Sequence, residues 1–108
     1  MDLAAAIAIG HRVEVDFSGT VATAPHYFFG TRTRCEHEAF AVETSAGVID
    51  VVDNVALAAP VPVRPGDTIQ VRGELVRDSA RNVVHWTHHD PSHRHTDGFI
   101  RFHGRTYA

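Results

Sequence analysis

The residues best equipped for chemistry lie together near the C-terminus, in His85-Trp86-Thr87-His88-His89-Asp90-Pro91-Ser92-His93-Arg94-His95. This run holds five of the nine histidines, the single tryptophan and a carboxylate. Imidazole has a polar edge that needs a partner when buried, so such a run adds little to a core. Imidazoles beside an aspartate are the raw material of a metal site or of acid–base catalysis. One reading has His88, Asp90 and His95 converging on a divalent metal ion, zinc being the first candidate. Adjacent side chains on a strand point apart, so His88 and His89 ligate together only if Asp90-Pro91 bends the chain. A second reading is acid–base work by His37, His85 and His89, with Asn54 positioning a phosphodiester and Arg94 neutralising its charge. In a third, Trp86 and Tyr27 stack bases and the chain only binds. In a fourth, Thr87, Asp90 and the histidines satisfy one another and pin the C-terminal tail, with no substrate.

The rest of the sequence bounds these choices. At 108 residues, 44% apolar and 21% charged, the chain makes one ordinary domain with one small core. Net charge is −3 with neutral histidines, and charging all nine carries it to +6. At neutral pH no global basic field draws in nucleic acid, so phosphate binding needs a local patch. The ten positive charges are all arginine. Cys35 is the only cysteine, which excludes an internal disulfide framework and a four-cysteine zinc module. Neither a Ser-His-Asp constellation nor a Gly-rich phosphate loop is present. Leu3 to Ile9 is apolar but too short, and lacks the basic flank, for a secretion signal. The compartment stays open, cytoplasmic by default; no membrane partner is expected, and nothing in the sequence speaks to oligomeric state.

Short strands must position the histidines. Val13 to Phe17 alternates apolar and charged residues. Glu36 to Thr44 and Val48 to Val52 flank Ser45-Ala46-Gly47 and read as a hairpin. Thr68 to Arg77 puts Ile69, Val71, Gly73 and Leu75 on one face, and Val83 to Thr87 runs into the histidines. Asp2 and Gly10 bracket a short helix, and Asp53 is positioned to cap a helical turn over Val55 to Ala59. Ala24 to Arg34 reads as a loop whose Tyr27-Phe28-Phe29 are either an anchor folded onto the barrel end, the favoured reading, or a stacking surface for a ligand. Trp86 is expected in the core. The pattern describes an all-β domain, a small five-stranded OB-like barrel, with SH3-like and jelly-roll arrangements as alternatives. Residues 1–10 form the helical segment, 11–87 the barrel, and 88–108 a histidine-rich loop and tail.

The chain also resembles a family of small bacterial proteins catalogued as a domain of unknown function. The resemblance rests on His85 to Pro91, Arg94-His95, Gly98-Phe99, Gly104 and Tyr107. Upstream it includes His37 with Phe40, Asn54 before Val55 to Ala59, Gly66-Asp67 and Gly73-Glu74. The chain departs from that pattern at Glu36, Ala39, Asp53 and His93. The resemblance implies no activity. The residues themselves point to a histidine-centred, divalent-metal-assisted hydrolase acting on phosphodiesters such as nucleic acid. The alternative is a non-catalytic OB-like module that binds nucleic acid or another ligand.

Overall fold

The computed structural model describes residues 2–108. The N-terminal helix is α1 (Leu3–Ile9), where the Asp2 carboxylate accepts from the Ala5 N–H and Gly10 closes the last turn at φ 81°. The strands are β1 (His11–Val21), β2 (His26–Gly30), β3 (Cys35–Thr44), β4 (Gly47–Asn54), β5 (Thr68–Asp78), β6 (Arg81–His85), β7 (Phe99–Phe102) and β8 (Arg105–Tyr107). The domain is mostly β, with α1 as its short helix among the described residues.

Alternation decides what each strand buries. On β1, Val15, Phe17 and Val21 turn inward; on β3 it is Phe40 and Val42; on β5 it is Ile69, Val71 and Leu75. These side chains join Ile49, Val51, Val84 and Ile100 in one core, on which Leu3 and Ala6 of α1 also pack. The pairings return on themselves. β1 runs antiparallel to β3 and β5, β3 to β4, and β5 to β6, while β4 and β6 are parallel neighbours. In the tail, β7 pairs with β5 and β8 closes a hairpin on β7.

Three sequence expectations are corrected here. Ala24 to Arg34 is not simply a loop, because residues 26–30 form the edge strand β2 along β3. Its aromatics do not fold inward: Tyr27, Phe28 and Phe29 are 56%, 39% and 57% exposed. Asp53 does not cap the turn after β4. Alternation buries Asp53 and turns Asn54 outward, and Asn54 Oδ1 accepts from the Ala56 N–H at 3.0 Å.

One feature of the topology creates the site. β6 ends with His85 opposite Glu74, and β7 begins with Phe99 opposite Arg72, both on the same edge of β5. Residues 86–98 are therefore an excursion whose two ends lie a step apart, the shape of an Ω-loop. β6 stops at His85 because Trp86 takes φ 56°, so the strand does not continue to Thr87. Glycine forms the neck on both sides. A Cβ on Gly73 would strike Val84 and the His85 carbonyl, and one on Gly98 would strike the Trp86 and Arg72 carbonyls.

Candidate functional site

Asp90 organises the excursion. Its Oδ1 accepts from the Ser92 N–H at 2.9 Å and the Ser92 hydroxyl at 2.8 Å. Its Oδ2 accepts from the N–H groups of Arg94 at 2.8 Å and His95 at 2.7 Å. Donation from Ser92, then from Arg94 and His95, holds this carboxyl well below the usual carboxylate range. The Asp97 carboxylate accepts from the Asp90 N–H at 2.8 Å, and Gly98 N–H donates to the His88 carbonyl at 2.9 Å. The loop is thus closed by its own polar groups, with Asp90 bonded to Ser92 and to backbone N–H groups and not to Thr87 or an imidazole ring.

A second carboxylate, Glu74 on β5, ties the loop to the sheet. Its Oε1 accepts from His85 Nε2 at 2.9 Å and from Arg12 at 3.2 Å, and its Oε2 accepts from His95 Nε2 at 3.0 Å. Burial alone would raise the Glu74 carboxyl, but the bonds from His95 and His85 outweigh it and leave it below its ordinary value. His95 also has its Nδ1 2.8 Å from the Thr96 carbonyl. Both ring nitrogens face acceptors, which only the doubly protonated ring satisfies. Accordingly, although burial pulls the other way, the Glu74 and Thr96 bonds raise the His95 pKa. Trp86 stacks on this ring with centroids 4.4 Å apart and planes 10° from parallel.

The loop and the outer faces of β3 and β4 enclose a cavity of about 290 Å³. Its wall includes His37, Asn54, His85, Trp86, His88 and Arg32. His37 Nδ1 lies 2.9 Å from the Cys35 carbonyl, and His88 Nδ1 lies 2.7 Å from the His89 carbonyl. Each Nδ1–H therefore donates to backbone, and each Nε2 keeps its lone pair. In His85 the roles are reversed: Nε2–H donates to Glu74, and Nδ1 has no hydrogen-bond partner among the described residues. Burial lowers the His88 pKa, and the neighbouring His89 and His37 rings lower it further, against the opposing effects of the His89 carbonyl and Asp90. His88 is neutral at pH 7.

Beneath this wall lies a polar pair facing the core. Thr87 donates to Asp53 Oδ1 at 2.9 Å, while Asp53 Oδ2 is buried with no hydrogen-bond partner among the described residues. Burial pushes the Asp53 carboxyl up to about 7, with the Glu38 charge adding to the rise and the Thr87 bond opposing it. Glu38, opposite Asp53 on β3, accepts from the Val61 N–H at 2.9 Å and the Tyr27 hydroxyl at 2.8 Å.

The site expected from sequence is therefore rearranged. His37, His85, His88, Asn54 and Trp86 come together around one cavity. The expected metal ligands His88, Asp90 and His95 do not converge. Asp90 is spent on loop donors and His95 on Glu74 and Thr96, and no group of three His, Cys, Asp or Glu among the described residues is placed to hold a metal. His89 contributes its carbonyl to the His88 ring and is not part of the cavity wall. Arg94 serves Asp90 through its backbone N–H, and Arg32 is the arginine that lines the cavity. Trp86 is half-buried at the wall and not in the core. Sequence reasoning missed Glu74 and Arg32. The Glu74–His85 pairing follows from strand register, and Arg32 had no local signal beyond its closeness to His37.

These features define a mostly-β domain carrying a histidine-lined cavity on its outer sheet face. Residues 10–108 match the family described as Protein of unknown function (DUF3465), and the chain belongs to that family. A search of curated proteins finds no match.

Proposed function

We propose that the cavity is a catalytic centre that hydrolyses phosphodiesters with paired imidazoles. The observation that carries this reading is that His37 and His88 line one cavity, each with Nδ1 tied to a backbone carbonyl, and that Arg32 lines the same cavity. Such ties orient a ring and leave Nε2 for proton transfer. His88, kept neutral by burial, takes a proton from water as the water oxygen bonds to phosphorus. His37, in the form that carries a proton on Nε2 as well, gives that proton to the oxygen of the breaking P–O bond. Arg32 offsets the charge gathering on the phosphoryl oxygens, and Trp86 offers a face for an attached base. The cycle of pairings among β1, β3, β4, β6 and β5, with β4 and β6 parallel, supports an OB-like five-stranded barrel, an architecture suited to oligonucleotide ligands.

The same Nδ1–H to carbonyl bonds favour a second reading, because they are also the outer-shell contacts that orient metal-ligating imidazoles. A divalent ion on the two Nε2 atoms would have fewer protein ligands than zinc usually takes, leaving positions for substrate oxygens.

Both readings are tested by incubating dinucleotides and bis(p-nitrophenyl) phosphate with the protein from pH 5 to 8, with and without chelator. His37→Ala and His88→Ala are each expected to lower kcat by about 10²–10⁴-fold while the protein stays folded. Because the base is His88, the low-pH limb of kcat/KM should fall below pH 6.5, its ordinary value. Turnover surviving chelator favours the imidazole pair, and turnover abolished by it favours the metal. If no diester is consumed under any of these conditions, the hydrolytic reading is lost.

A further inference from the structure

A second concavity, of about 270 Å³, lies on the same outer sheet face as the first. Ala39, Ala41, His26, Asp50 and Arg81 are among its lining residues. The two hollows adjoin: Ala39 of the second is the cross-strand partner of Val52, which lines the first. Register places His26 beside Ala39 and Phe28 beside His37, so β2 raises rings along one bank. His26 and Phe28 lie 5.8 Å apart and 30° from parallel, and Phe28 and His37 lie 5.3 Å apart and 15° from parallel. The floor between is alanine. From His37 to Ala41 the strand advances about 13 Å at about 3.3 Å per residue, too long for a single nucleotide unit and suited to a chain.

We infer that the two hollows form one groove, and that the groove takes a single-stranded nucleic acid whose chain runs from the His37–His88 cavity past Ala39 and Ala41 to Arg81. This extends the hydrolytic reading by naming its substrate class. The exposed rings of His26 and Phe28 present faces to unpaired bases, which a duplex keeps stacked inside itself. Charge agrees with a polyanion. Although the chain carries −3 overall, the two linings contain Arg32 at one end and Arg81 at the other against one carboxylate, Asp50. Asp50 is already paired with Arg81 at 2.8 Å. The rings of His26, His37, His85 and His88 line the groove between.

The test is fluorescence anisotropy with labelled, hydrolysis-resistant oligothymidylates of two and six nucleotides, at low and raised salt. The hexamer is expected to bind at least tenfold more tightly than the dimer, and to lose affinity as salt rises. Ala41→Phe, which fills the floor, should bring hexamer affinity down to that of the dimer. Arg81→Gln, which removes the charge from a largely exposed side chain and places no carboxylate against Asp50, should weaken the hexamer several-fold and lessen its salt dependence. Both variants should leave dinucleotide turnover unchanged, since neither residue lines the catalytic cavity. Equal affinity at the two lengths, unchanged hexamer binding in both variants, or tighter binding of duplex would overturn the inference. So would self-association of the protein that Ala41→Phe abolishes, which would assign the groove to a second copy. Length-dependent binding without turnover in wild type would leave the groove standing and remove only the hydrolytic reading.

Discussion

Glu74 shapes the site more than any single histidine. It sits mid-strand on β5, almost fully buried, and accepts from His85, His95 and Arg12 at once. Through His85 it sets one wall of the cavity, and through His95 it sets the ring on which Trp86 lies. The replacement Glu74→Gln keeps the shape and removes the charge. An amide has one acceptor oxygen, and its NH₂ would then confront an Nε2–H that needs an acceptor. The expected result is a loss of roughly 1–3 kcal/mol in stability, the cost of leaving a buried polar group unpaired. The His95 pKa, followed by NMR of its ring protons, should fall once the carboxylate that holds it up is gone. An unchanged His95 titration in a folded Glu74→Gln protein would show that the carboxylate does not govern the ring.

At the scale of elements, the excursion between β6 and β7 carries His88 and Trp86, and Asp90 gives it its shape. Asp90→Ala orphans the N–H groups of Ser92, Arg94 and His95. Amide exchange in residues 92–95 should therefore quicken by orders of magnitude, while the amides pairing β1 with β5 stay protected. Equal protection before and after the change would mean that the loop is held from outside, by Glu74 and the glycine neck alone. Much of this element plan was legible in the residues. The alternation of Val13 to Phe17, the Ser45-Ala46-Gly47 turn and the Asp2 and Gly10 caps each act locally, and each element formed where expected. β2 was hidden because Pro25 and Gly30 punctuate it and its aromatics, exposed on an edge strand, satisfy no inward pattern. The histidine segment was recognisable as the seat of the site, but the role of each ring was not. Nearness in sequence does not reveal that Asp90 turns onto its own loop, or that His95 reaches Glu74. The partners of His88 come from strand registers set far away: His37 from β3, Asn54 from β4 and Arg32 from the turn after β2.

For the molecule as a whole, the buried titrating groups determine how stability varies with pH. Asp53 has an ordinary value of 3.8 and is raised to about 7, so over that interval the native state holds a proton that the unfolded chain has released. Its contribution to stability therefore falls as pH rises from about 4 to about 7. His95 is raised above 6.5, so its contribution is complete below 6.5 and lost as pH climbs through the folded value. Glu74 is depressed, so its contribution is complete above 4.5 and lost as pH drops through the folded value. Neutral, buried His88 adds a loss on acidification below 6.5, and Asp90 adds another below 3.8. Asp53 and His95 thus erode stability toward neutral and alkaline pH, and Glu74, Asp90 and His88 erode it toward acid. The maximum is expected in mild acid, between about 4.5 and 6.5, with a decline through neutrality. Thermal melts in steps from pH 4 to pH 8 at fixed ionic strength would trace this curve. The variant Asp53→Asn keeps an oxygen for Thr87 and has no charge to bury, so it should melt higher than wild type at pH 8 and converge with it toward pH 4. Were wild-type stability to keep rising up to pH 8, with Asp53→Asn offering no advantage there, the Asp53 carboxyl would not be the neutral, proton-holding group that its burial beside Glu38 requires.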